Sequence, residues 1–191
     1  GRRCLELDVK ITAAPAGARG LLAGRACRAV AYEQLCGRPR PGERVRLEVS
    51  ALDRGLGTGG HAMVAARLDV LPADPPADGH LVKVRYMPDQ VMVAGADEQG
   101  AAHHDVLSLP IDGLGLDGAP VVVADLHSSL PAIVAGARAG VGDRPPRIVY
   151  VMTDGGALPL AYSRTAAALR RAGWIAGTVT AGQAWGGDLE A

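Results

Sequence analysis

The residues best suited to chemistry fall in three short blocks. The first is Asp125-Leu126-His127-Ser128-Ser129. In extended backbone, residues two apart share a face, so Asp125 and His127 are expected on one side. A carboxylate beside an imidazole suits proton transfer near neutral pH, or the two could ligate one metal. A plainer role stays open, in which Asp125 ties down a loop and Ser129 caps a helix. The second block is Thr153-Asp154-Gly155-Gly156. Two glycines ahead of a helix would expose backbone N–H groups at the positive end of its dipole, a setting for an anion. They could equally relax a tight turn. The third block, Thr180, Gln183 and Gly186–Asp188, is a weaker signal because no helix follows to orient it. The expected catalytic residues are therefore Asp125, His127 and Asp154. The expected substrate-binding residues are Ser128, Ser129, Thr153, Gly155, Gly156 and Gln183.

Gly55, Gly57 and Gly60 formally fit G-x-G-x-x-G, but an alternating strand follows them where a dinucleotide site needs a helix. His103, His104 and Asp105 could add a metal ligand to Asp125 and His127. Neighbouring loop histidines are more often simply exposed, so no metal is assigned, and the cofactor is left unknown. Lys83 and Arg85 share a strand face near His80, and either line a pocket for an anion or face water. No H-E-x-x-H, P-loop, G-x-S-x-G or paired-cysteine zinc spacing occurs.

Apolar strands must carry these blocks. Val121–Ala124 and Ile148–Met152 are continuous apolar runs, and each is followed by a Leu-Pro pair, Leu130–Pro131 and Leu158–Pro159. Helical segments then close on Arg-Ala-Gly at Arg138–Gly140 and Arg171–Gly173. Proline suits a first helical turn and glycine the residue after the last. A third apolar run is Thr178–Ala181. Apolar strands alternating with helices predict a parallel sheet covered on both faces, with all strand ends on one edge. That edge is where open α/β sheets bind ligands. Asp125 and Asp154 would then be near neighbours whose charges repel, so Asp154→Asn should slightly stabilise the empty protein.

The N-terminal part reads differently. Residues 4–12, 25–33, 43–50 and 61–68 alternate apolar and polar, the period of half-buried strands. Val45, Leu47 and Val49 should share one interior. Residues 80–87 and 90–95 read as two further strands about the Met87–Pro88–Asp89 turn, with a short helix near Asp105–Leu109. The Pro-rich segment 71–79 reads as a linker. The expected fold class is α/β: a Rossmann-like parallel sheet with flanking helices in residues 73–191, truncated at the C-terminus, preceded by a small β-barrel-like module in residues 1–72. The strand 178–181 should then have an open edge, to be paired by an absent C-terminal segment or by another copy in a homo-oligomer.

Composition narrows the class. Hydrophobic residues make up 48% and charged residues 21%, the balance of a globular chain. There is no Phe, so the core must be built from Val, Leu, Ile and Ala. Residues 1–72 hold twelve basic and seven acidic side chains, against eight and thirteen in residues 73–191. The halves could attract each other, or the basic one could meet nucleic acid. Tyr32 is the only aromatic in that half, so nucleic acid is ranked last. Three cysteines without CxxC spacing argue against a disulfide framework and fit a reducing, cytoplasmic setting. No apolar run is long enough to span a membrane.

Three blocks, GHLVKVRYMPDQ (79–90), VVVADLHSSLPA (121–132) and VMTDGGALPLAYSRT through GGDLEA (151–191), together resemble an uncharacterised bacterial domain-of-unknown-function family, the one numbered 3866. GRPRPGERV and GLGTGG look like it as well. The resemblance implies no activity and no catalytic residue, and it implies members that continue past residue 191. The residues themselves point first to a small anionic ligand held at the C-terminal ends of parallel strands, with acid/base chemistry as an open addition. A non-enzymatic binding or scaffold protein is the alternative, and whether the chain is an enzyme stays open.

Overall fold

The structure, a computed structural model, describes residues 3–71, 73, 79–156 and 159–191. The chain divides into two compact units, Arg3–Pro75 and Pro76–Ala191. The segment 71–79, expected as a linker, lies for the most part outside the described residues, as does Leu158.

In the first unit, period-2 alternation becomes strand as expected. β1 (Cys4–Lys10) runs antiparallel to β2 (Ala26–Tyr32), pairing Cys4 with Tyr32 and Lys10 with Ala26. α1 (Glu33–Cys36) follows directly. β3 (Val45–Glu48) is followed by α2 (Ser50–Asp53) and pairs antiparallel with β4 (His61–Arg67), which lies parallel to β2. Ala29, Ala31, Ala62, Val64 and Cys36 form the core, and Leu5, Leu7, Val9, Val45, Leu47 and Val49 pack against it. The strand order is β1-β2-β4-β3, so β1 and β3 are edges and no barrel closes among the described residues. The side chains explain this departure from the barrel-like expectation. Alanines line the face and leave too little volume to wrap around, and Cys36 and Leu52 of the two short helices fill it instead.

The second unit begins with a hairpin of β5 (Leu81–Lys83) and β6 (Val91–Val93). α3 (His104–Leu107) follows. A 3-10 turn at His127–Ser129 leads into α4 (Leu130–Ala139), which carries Pro131 in its first turn. β7 (Val149–Met152) is followed by a 3-10 turn at Leu160–Tyr162 and by α5 (Arg164–Arg171). β8 (Gly177–Thr180) pairs parallel with β7, and β9 (Leu189–Glu190) pairs parallel with β8. Leu130 and Val134 of α4 and Ala166 of α5 pack on Met152, Ile175 and Ala184, with Tyr150 partly buried beside them.

Four expectations are corrected here. Val121–Ala124 forms no strand, and Val121, Val122 and Val123 are exposed. An apolar run that short cannot be told from other structure by periodicity, and no strand pairs with it. The unit is therefore not a Rossmann-like sheet flanked by helices. Among the described residues its parallel strands number three, and the opposite face of β7 leaves Val149 and Val151 half-exposed. Pro159 does not open α5. It bridges to Trp185, and Ser163 takes the N-cap position. Finally, the expected open edge of β8 is filled by the chain's own β9, because Gly186 and Gly187 let the chain turn back alongside. Among the described residues, no helix is long and apolar enough to cross a membrane.

Candidate functional site

β7 and β8 end side by side, and the loops leaving them are held together by Asp154. Its Oδ1 accepts the backbone N–H groups of Gln183, at 2.5 Å, and Ala184, at 3.2 Å. Gly182 lies at φ +71, and a Cβ there would run into the Asp154 carboxylate. Only glycine meets both conditions without strain. The hairpin of β5 and β6 reaches the same place. Gln183 Oε1 accepts the backbone N–H of Arg85 at 3.0 Å. Together Val84, Arg85, Tyr86, Met87, Asp154 and Gln183 line an open cleft of about 520 Å3.

The cleft's hairpin wall is strained. Val84 has φ +53 and Tyr86 φ +64, in the left-handed region. A β-branched residue there is a true outlier, and such strain concentrates at functional sites. On the same wall Tyr86 is 96% exposed and Met87 56%, both beside the cleft.

Behind this wall lies Lys83, fully buried at the end of β5. Its Nζ donates to the main-chain oxygen of Ala191 at 2.6 Å and lies 3.7 Å from Glu190 Oε2. Glu190 Oε2 accepts the Thr180 hydroxyl at 2.7 Å, and Oε1 accepts Gly186 N–H at 2.7 Å. Burial pushes the Lys83 pKa down, and the charges of Glu190 and Asp154 oppose that shift. Burial pushes the Glu190 carboxyl up. The pair fixes β5 to β8 and β9 and sets a cation behind the strand ends.

His127 sits elsewhere, between α4, β7 and α5. Its Nδ1 lies 2.7 Å from Tyr150 Oη and its Nε2 2.7 Å from Ser163 Oγ. Ser163 Oγ also accepts the Ala166 N–H at 2.9 Å, as the N-cap of α5. Burial lowers the His127 pKa and raises that of Tyr150. All three groups are neutral near pH 7.

A family model described as "Protein of unknown function (DUF3866)" matches residues 28–191. The chain belongs to the DUF3866 family. The matched region takes in the cleft, the Lys83–Glu190 pair and the His127 cluster alike. No curated protein and no solved structure matches the chain.

The structure thus brings Asp154 and Gln183 together in this DUF3866 chain. Thr153, Gly155 and Gly156 follow β7 beside them, exposed. The two glycines do not sit at a helix N-terminus, because α5 begins only at Arg164. Asp125 and Ser128 are exposed, and no hydrogen bond or ion pair joins Asp125 to His127 among the described residues. Ser129 holds the N-cap position of α4 but its side chain makes no capping bond. Among the described residues no group of three His, Cys, Asp or Glu could hold a metal. Ser163, Tyr150 and Glu190 were not singled out from sequence. Ser163 alone had a readable signal, a hydroxyl residue ahead of the Ala-rich helical segment. The other two become visible only once strands are paired.

Proposed function

We propose that the cleft over the C-terminal ends of β7 and β8 binds a small molecule bearing an anionic group. The carrying observation is the cleft itself, with Arg85 as the cation in its lining, next to Gln183 and Asp154. Arg85 presents a planar, permanently charged donor that suits carboxylate or phosphate. Exposed Tyr86 and Met87 offer the apolar surface that the rest of such a molecule would cover. The free carboxylate oxygen of Asp154 suits a hydroxyl or amine on the ligand, since Oδ1 is already occupied. Thr153, Gly155 and Gly156 stand at the rim in this reading. The cleft lining holds neither His127 nor Asp125, so this reading is one of binding and carries no acid/base step. A binding role without chemistry is favoured by one observation: Asp154 spends one carboxylate oxygen on holding the loop.

The test is a thermal-shift series with inorganic phosphate, short carboxylic acids and mononucleotides. A ligand at a hundred times its Kd adds about 2.7 kcal/mol to the folded state. Stabilisation by one of these should vanish in Arg85→Ala and persist in Arg46→Ala, an exposed cation of the first unit. A shift that survives Arg85→Ala, or none across the series, removes this reading.

A further inference from the structure

We propose that Ser163 is a nucleophile served by His127, giving the chain acyl-transfer activity on small carboxylic esters. The proposal is independent of the cleft and rests on three contacts. Ser163 Oγ lies 2.7 Å from His127 Nε2, within reach of direct proton transfer. His127 Nδ1 lies 2.7 Å from Tyr150 Oη, so a third group fixes the ring. Ala166 N–H points at Oγ from 2.9 Å and stabilises charge that develops on that oxygen. Nucleophile, base and orienting group within hydrogen-bond reach form the geometry that activates a hydroxyl.

A capping serine alone does not account for this arrangement. An N-cap needs an oxygen that accepts, and Ala166 supplies the donor it serves. The imidazole adds nothing to that role. Its second nitrogen is held by a tyrosine from β7, so residues of three separate elements link in one hydrogen-bonded chain that ends on the hydroxyl. Ser163 and His127 are half-buried, not sealed. The lowered pKa of His127 keeps the ring neutral at pH 7, with one nitrogen lone pair available to take a proton. The raised pKa of Tyr150 keeps it a phenol. With Nδ1–H donating to the phenol oxygen, Nε2 is left as the acceptor of the serine proton. A neutral third group lends no negative charge to the imidazolium, so turnover should be slower than with a carboxylate in that place.

The step balances within these groups and the substrate. Ser163 Oγ attacks the ester carbonyl carbon as its proton passes to His127 Nε2. The carbon–alkoxide bond breaks, and Nε2 returns the proton to the departing oxygen. Water then attacks the acyl-serine, gives its proton to Nε2, and the proton goes back to Oγ as the acid leaves.

A fluorophosphonate probe on the full chain tests this, with adducts mapped by peptide mass. An adduct on Ser163 is expected, absent in Ser163→Ala and formed about 100-fold more slowly in His127→Gln. In the wild type its rate should rise with pH and level off at a midpoint below 6.5. Tyr150→Phe should slow labelling and move that midpoint while circular dichroism stays unchanged. No adduct on Ser163 overturns the proposal. So does an adduct whose rate shows no fall at any pH below 6.5 at which the chain stays folded, a result that needs no variant to fold.

Discussion

The Lys83 ammonium lies 3.7 Å from Glu190 Oε2, and none of the lysine side chain meets solvent. Burial disfavours both charges, pushing Lys83 down and Glu190 up. The pair persists because other groups complete it: the Ala191 oxygen, the Thr180 hydroxyl and Gly186 N–H. Removing one partner strands the other. Lys83→Met should therefore cost about 3–5 kcal/mol, and adding Glu190→Met should recover most of it. Urea midpoints of the two single variants and the double decide the matter. Losses that simply add would show that the two groups are not coupled.

Asp154 was expected to relieve repulsion when neutralised. Its hydrogen bonds reverse that expectation. Charge-assisted bonds from Gln183 and Ala184 hold the loop after β8, and Asn would keep the acceptor but lose the charge. Asp154→Asn should destabilise by about 1 kcal/mol, and Asp154→Ala by more, as two backbone donors lose their acceptor. Gly182→Ala should be costly too, combining a left-handed φ with a clash on the same carboxylate. Equal or raised melting temperature in all three variants would refute this account of the loop.

What was legible from sequence follows the range of each signal. Period-2 alternation is local, so residues 4–10, 26–32, 45–48 and 61–67 emerge as strands close to where they were expected. Pairing is not local. Nothing in Val121–Ala124 announced that these valines would stay unpaired, and nothing in Leu189–Glu190 announced a strand. The site divided the same way. Asp154 and Gln183 were placed by the rule that ligands gather at strand ends. His127 stands two residues from Asp125, yet its partners are Tyr150 and Ser163, brought by other elements. Alternation alone places Lys83 and Arg85 on one strand face. In the structure they separate, one into the core and one onto the cleft.

Glu98 closes the hairpin of β5 and β6 at its open end. Its carboxylate accepts Gly95 N–H at 2.8 Å and His80 N–H at 2.9 Å, and lies 3.2 Å from His80 Nδ1. These bonds lower its pKa from 4.5 to about 2, with Gly95 the largest cause. A depressed carboxyl lends stability that is complete above its unfolded value. That stability is lost as pH falls from about 4.5 towards 2. Glu98→Gln should flatten this part of the acid unfolding curve and leave the region above pH 5 nearly parallel to wild type. A variant curve with the wild-type acid limb would place the acid sensitivity in other carboxyls.

His127 gives a second pH dependence, in a different window. Burial lowers its folded pKa below the ordinary 6.5, while the unfolded chain keeps that ordinary value. Between the two values the unfolded state binds more protons, so stability rises with pH there. It is complete above 6.5, falls as pH drops towards the folded pKa, and falls no further from this group below it. The groups bonded to the ring do not blur the window: the Ser163 hydroxyl does not titrate, and the Tyr150 phenol is pushed up, away from it. His127→Gln should remove this slope, and the difference between wild-type and variant urea midpoints across that range isolates it from the other histidines. A proton NMR titration of the ring gives an independent reading. A midpoint above 6.5 would mean a charged imidazole that donates from both nitrogens, which would leave Ser163 facing a donor and take away its base.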